Sequence, residues 1–319
     1  MSIAPHRALG RIVALGAAAV MALSLTACAT SGGGDDDTIR IGLAVPNQEA
    51  QFFVTIREAV EEAAGDQDIE IIFADAKNDA DAQVSQIQDF ITQGVDAIIY
   101  TPAGATAAAV PVREAKAAGI PIVSVDRNPE GAPGDTFIAT DSVAATEALG
   151  QWVVEQTGGK ADLGIVQGSL GTTPMEQRTE GFAKGIAGSD VVEVAAQPSD
   201  NWLQQEGFDI ATDMLQAHPE ISVIFGQGDA LAIGASQAAG NAGLNDILFV
   251  GFDGNEEGLK AILAGTIDAT ITQPTNKIGT LALESAVKLI NGDDVPAEQI
   301  LEGVLTTKDN AQEFIENHP

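Results

Sequence analysis

The sequence is short of the residues on which most catalytic chemistry rests. It has one cysteine and three histidines in 319 residues. A single cysteine excludes a disulfide within the chain. His6 lies in the leading segment, His218 closes a predicted helix before Pro219, and His318 is next to last. None follows a predicted strand, so a Ser/His/Asp or Cys/His arrangement has no base. Basic residues are scarce as well: 15 Lys and Arg stand against 46 Asp and Glu, a net charge of −31. Such a chain repels phosphate backbones, which argues against a nucleic-acid partner. The acidity reads as a solvated surface. The apolar run at residues 12–25 is 14 residues long, too short to span a bilayer as a helix.

What is there begins with that run. Arg7 and Arg11 precede or open it, no acid accompanies them, and small residues follow. This is the build of a secretory signal. Leu25-Thr26-Ala27-Cys28 resembles the lipobox of bacterial lipoproteins. That resemblance makes residues 1–27 a signal peptide, Cys28 the lipidated new N-terminus, and the glycine- and aspartate-rich residues 28–37 a flexible tether.

From Thr38 onward apolar, β-branched runs alternate with helical stripes. Residues 39–45, 69–75, 96–102 and 120–126 read as strands. Further strands are predicted at 163–167, 191–196, 223–226, 248–251 and 269–272, with helices at 174–186, 203–217, 230–242 and 256–264 between them. This rhythm predicts an α/β protein with parallel sheets covered on both faces, and two sheets suit the length better than one. Open parallel sheets bind ligands beyond the carboxyl ends of their strands, so the residues there are the ones to read for function.

Two motifs there carry little. The segment 75–81 spaces oxygens like part of a calcium loop but lacks its glycine and closing glutamate, and reads as helix capping. The glycines at 226 and 228 lack the third glycine of a dinucleotide loop, and Asp229 reads as a helix N-cap. Neither a metal nor a cofactor is implied. Asp126 and Asp253 both follow strands, so a carboxylate pair of the glycosidase kind stays open.

The binding residues say more. Phe52 and Phe53 open a predicted helix, Phe53 on its core stripe and Phe52 offset from it. Trp202 follows a predicted strand amid Asp200, Asn201 and Gln204. Aromatic faces suit the weakly positive C–H faces of a sugar ring. Asp126 and Arg127 form a charged pair at a strand end, able to grip vicinal hydroxyls. Asp253 and Gln273 add polar groups.

The ordered motifs FFV, AGIPIVSVDR, IATD, RTEGF, AHPEISVIFGQGD, VGFDG and ATITQP, over residues 38–307, resemble the bacterial periplasmic sugar-binding proteins of the ribose-binding type. The resemblance implies two Rossmann-like lobes, a type I periplasmic binding fold, joined by a three-strand hinge near residues 139–141, 273–274 and 301–303. The lobes would comprise 38–140 with 274–302, and 141–273 with 303–319. Phe52, Phe53 and Trp202 match the family's aromatic sandwich, Asp126 and Arg127 its hydroxyl-gripping pair, and Asp253 and Gln273 its later carboxylate and amide. Four positions depart: Ala50, Thr101, Glu176 and Gly228 stand where ribose binders carry amides or an arginine. Each departure removes or inverts a donor, and lost hydrogen bonds discriminate strongly between hydroxylated ligands. The implied ligand is therefore a small polyhydroxy compound: a pentose, hexose or sugar alcohol. The implied partners are the permease and ATPase subunits of an ABC importer, with the protein monomeric and held on the outer face of the cytoplasmic membrane. A receptor feeding a sensor kinase is the alternative. A sugar-responsive repressor would need a basic helix-turn-helix ahead of the first strand, where this chain has a signal and an acidic tether.

Overall fold

The computed structural model describes residues 38–65 and 67–319. The signal segment, Cys28 and the tether lie outside the described residues. The first half of the chain runs β1 (Ile39–Val45), α1 (Gln51–Ala64), β2 (Ile69–Asp75), α2 (Ala80–Gln93), β3 (Ala97–Tyr100), α3 (Ala109–Ala117), β4 (Ile122–Val125) and β5 (Thr136–Thr140). The second continues with α4 (Ser142–Gln156), β6 (Lys160–Gln167), α5 (Thr173–Gly185), β7 (Asp190–Pro198), α6 (Gln204–Ala217), β8 (Val223–Gly226) and α7 (Asp229–Ala242). It ends with β9 (Leu248–Val250), α8 (Glu256–Ala264), β10 (Ala269–Thr272), α9 (Thr275–Ile290), β11 (Glu298–Leu301), β12 (Val304–Thr307) and α10 (Ala311–Glu316).

Two six-stranded sheets result, in the orders β11-β5-β4-β3-β1-β2 and β12-β10-β9-β8-β6-β7. All named pairings are parallel except β10 with β12. This is the two-sheet α/β architecture of the type I periplasmic binding fold. The period of two decides which face each side chain serves. Ile41, Leu43 and Val45 of β1 pack under α1 and α9, whereas Ala44 joins Ile98, Tyr100 and Ile122 under α2 and α3. The second sheet repeats the arrangement, with Leu163 and Ile165 on one face and Val166 on the other. Burying one such side chain contributes about 1.5–3 kcal/mol, so a one-residue slip in register is strongly disfavoured.

Local chemistry fixes the element ends. Asp79 caps α2 by accepting from the backbone N–H groups of Asp81 and Ala82, and Gly94 ends it in the left-handed conformation. The acidic segment 75–81 is therefore a cap. The chain changes sheets after β5. It returns through α9 to pair β11 with β5, then leaves again at Glu302 and Gly303 to lay β12 against β10. At Gly303 a Cβ would stand 2.8 Å from Ile271 and 2.9 Å from Thr140, so only glycine lets this crossing pass.

Candidate ligand-binding site

A cavity of about 240 Å³ lies where the loops beyond the carboxyl ends of both sheets meet. Its first wall is the start of α1. Asn47 fixes the approach, its Oδ1 accepting from the N–H groups of Glu49 and Ala50 at 2.9 and 2.8 Å. Phe52 and Phe53 follow, both buried and set edge to face with centroids 5.3 Å apart. Phe52 is thus as much a core residue as Phe53, and both line the cavity.

Asp126 and Arg127 enter from the end of β4. The Arg127 guanidinium is held from behind, Nη1 donating to the carbonyls of Pro102 at 2.8 Å and Ala103 at 3.1 Å. Its Nε lies 3.5 Å from Asp126 Oδ2. The plane sits 5.4 Å from the Phe53 centroid and 5.9 Å from that of Trp202.

The opposite wall comes from the second sheet. Glu206 accepts from the backbone N–H groups of Asp200, Asn201 and Leu203, which pins the loop carrying Trp202. The indole packs against Gly168, where a Cβ would stand 1.8 Å from Trp202 Cη2. Arg178 reaches in from α5. Its Nη1 donates to the Gln227 carbonyl at 2.5 Å and lies 3.7 Å from Asp253 Oδ1, and the guanidinium stacks 3.8 Å from the Phe252 centroid.

Three of these residues carry backbone strain. Asp126, Trp202 and Asp253 have φ of 61°, 64° and 133°, conformations that suit glycine. Non-glycine residues persist there only when their surroundings over-determine them, and such strain gathers at functional sites.

Asp253 Oδ1 accepts from Gln273 Nε2 at 2.9 Å. Burial pushes the Asp253 carboxyl up to about 8; Arg178 opposes this, and the charges of Asp229 and Asp126 reinforce it. Burial likewise raises Asp126 and lowers both guanidiniums, while opposite charges partly offset each shift. Three N–H donors of the lining residues, Nε of Arg127, Nε of Arg178 and Nε1 of Trp202, are buried with no hydrogen-bond partner. The cavity thus presents aromatic faces beside two guanidiniums and the carboxylates of Asp126 and Asp253, with Glu49 and Glu257 also in its lining and donors to spare. That arrangement fits a ligand with a carbon face and several hydroxyls. Among the described residues no group of His, Cys, Asp and Glu is placed to hold a metal ion.

Phe52, Phe53, Asp126, Arg127, Trp202 and Asp253 line this cavity; Thr101, Glu176, Gly228 and Gln273 do not. Thr101 is buried behind it, its carbonyl accepting from Gln83. Gly228 stands behind Trp202 and Asp253, where a Cβ would contact both. Gln273 acts on Asp253 from the rear. Glu176 lines a neighbouring cavity. Asp229 is not the cap of its own helix: it is wholly buried, its carboxylate accepting from Thr270 Oγ1 at 2.5 Å and Gly254 N at 2.8 Å. Burial raises its carboxyl to about 6 while these bonds oppose the shift.

Arg178, the first residue of the RTEGF motif, lines the cavity although it is not among the expected ligand-binding residues. It lies one turn into α5 on the buried stripe of Met175, Phe182 and Gly185. An arginine on an apolar stripe is the signal that would have found it.

A profile of the periplasmic binding protein domain matches residues 41–294. The chain is 33% identical over 279 residues to the ribose import binding protein of Bacillus subtilis, covering 85% of this chain and 90% of that one. It is 32% identical over 312 residues to a xylitol-binding protein of Mycolicibacterium smegmatis, covering 96% and 88%. An ABC transporter solute binding protein from Bacillus halodurans, solved with bound myo-inositol, superposes with a TM-score of 0.83 at 28% identity, covering 89% of this chain and 99% of that one. The chain belongs to the periplasmic binding protein family.

Proposed function

We propose that this protein is the substrate-binding component of an ABC importer for a small sugar or sugar alcohol, working outside the cytoplasmic membrane. The observation that carries this reading is the cavity itself. Aromatic faces from loops of both sheets enclose two arginine–aspartate pairs, the hydrogen-bonding equipment for vicinal hydroxyls. Similarity to ribose-, xylitol- and inositol-binding proteins supports the same ligand class.

In this proposal residues 38–140 with 274–302 form one lobe and 141–273 with 303–319 the other. Ligand bridging Phe52, Phe53 and Arg127 on one lobe to Trp202, Arg178 and Asp253 on the other completes its contacts only in the closed form. Binding therefore shifts the population towards closure, and the permease reads closure. A lipid on Cys28 would keep the protein near its permease; two acyl signals give lasting anchorage where one is marginal. Catalysis forms no part of the proposal. His218 lies on the surface beside Glu220, and the buried cavity carboxylates Asp126 and Asp253 each face an arginine.

The test is a scan of melting temperature against monosaccharides, polyols and amino sugars. A ligand at about 100 times its Kd stabilises the native state by roughly 2.7 kcal/mol, a clear upward shift. No shift with any member, together with no sugar released from the denatured protein by mass spectrometry, would contradict the reading.

A further inference from the structure

Gln227 follows β8, is wholly buried, and does not line the cavity. Each of its polar groups is nevertheless bonded to an element that carries the site. Its N–H donates to Val166 O at 2.9 Å, which extends the pairing of β8 with β6. Its carbonyl accepts from Arg178 Nη1 at 2.5 Å. Its side-chain Oε1 accepts from the Gly168 N–H at 2.9 Å. Its Nε2 donates to Thr179 Oγ1 at 2.7 Å and to Met175 O at 3.4 Å. This pattern fixes the orientation of the amide, because a backbone N–H faces one end and a backbone carbonyl the other.

Two walls of the cavity depend on these partners. Gly168 is the surface against which the Trp202 indole packs, with no room for a Cβ between them. Thr179 is the neighbour of Arg178 on α5. The Arg178 guanidinium stands 5.3 Å from the Trp202 ring centroid, and a single amide is bonded to the support of each. We infer that Gln227 is a positioning residue of the ligand site: its amide sets the spacing between the Arg178 guanidinium and the Trp202 indole, and through that spacing the affinity for a ligand it does not touch. A binding group is only as well placed as the residues that lock it, and a site loosened by about 1 Å loses its function. The inference rests on the reading of this cavity as the ligand site.

The test uses the Trp152→Phe background, in which Trp202 is the only indole. Gln227→Met keeps the length of the side chain and removes both its acceptor and its donors. In the ligand-free protein, held well below its melting temperature, acrylamide quenching of Trp202 should rise about twofold as Gly168 loses its tie. Calorimetric titration with ribose, xylitol and myo-inositol should show about tenfold weaker binding of whichever binds the parent. Gln227→Glu keeps an acceptor for the Gly168 N–H, so its quenching should match the parent's. Should Gln227→Met not fold, Gln227→Asn, one methylene too short to reach both partners, takes its place with the same expectation. A lower melting temperature with quenching or affinity unchanged would overturn the inference, since a residue serving stability alone moves neither. Quenching in Gln227→Glu as strong as in Gln227→Met would overturn it as well. Failure of the parent to bind these three compounds and the wider panel would contradict the ligand reading, and the affinity half of the inference with it; the quenching would still decide whether Gln227 holds the indole.

Discussion

The side-chain amide of Gln273 donates to Asp253 Oδ1 at 2.9 Å, and its amide oxygen accepts from Thr140 Oγ1 at 2.7 Å. Thr140 ends β5 of the first sheet and Asp253 follows β9 of the second, so one buried amide ties a cavity carboxylate to the opposite sheet. Gln273→Leu keeps much of the shape and removes both bonds. It should cost about 1–3 kcal/mol in urea unfolding, because Asp253 loses its side-chain hydrogen-bond donor and the buried Thr140 hydroxyl its acceptor. It should also weaken ligand binding tenfold or more. A variant of unchanged stability and affinity would show that the link is idle.

Asp253 imposes a pH dependence of definite sign. Its folded value, about 8, lies above the ordinary 3.8, so the native state holds a proton that the unfolded chain releases. The associated stability is complete below about pH 4 and is lost as pH rises through 8. Each such carboxylate contributes a slope of up to ~1.4 kcal/mol per pH unit inside its window. Asp229, raised to about 6, acts in the same direction over a narrower range. Melting of the ligand-free protein between pH 4 and 8 should therefore show a steeper decline than Asp253→Asn. Parallel curves would mean that Asp253 titrates normally.

Thr173 and Asn128 join the two sides of the cleft directly, Asn128 N donating to Thr173 Oγ1 at 3.1 Å. Thr173→Val removes the hydroxyl at nearly constant volume. The net worth of such a bond, about 0.5–1.5 kcal/mol, predicts a two- to tenfold loss of affinity carried mainly by faster ligand release. Stopped-flow dissociation measures it, and an unchanged off-rate would contradict the role.

Gly168 supports Trp202 by having no side chain. Gly168→Ala places a methyl group inside the indole, so the ring must leave its position. Affinity should fall at least as far as in Trp202→Ala, although alanine is the smallest possible addition. Binding retained within twofold would show that the indole is not a wall of the site.

Much of this architecture is legible in the sequence, and the gaps have physical causes. The apolar run at 39–45 coincides with β1 because a strand inside a parallel sheet is apolar on both faces, and the run at 69–75 coincides with β2, a half-buried edge strand. α4 escapes notice because its buried stripe relies on small residues. Gly150 of α4 packs against the backbone of α5, so hydrophobic contrast is low. β11 and β12 are edge strands of four residues, half exposed, with no apolar run to read. In the site, residues at strand ends could be read from their position. Arg178 enters from a helix, where position relative to a strand end says little, and Glu176, two residues earlier, lines the neighbouring cavity. Asp229 looked like a cap because sequence gives no view of Gly254 and Thr270, the partners that make it a buried brace.

The central claim is that ligand sits between the indole of Trp202 and the arginine–aspartate pairs. The chain has two tryptophans, so Trp152→Phe leaves Trp202 as the sole indole reporter. Titrating that variant with the sugar or polyol that raises its melting temperature should give a saturable change in tryptophan emission, with one site per chain and the calorimetric Kd. Binding by calorimetry with Trp202 emission unchanged would place the ligand elsewhere and contradict the account.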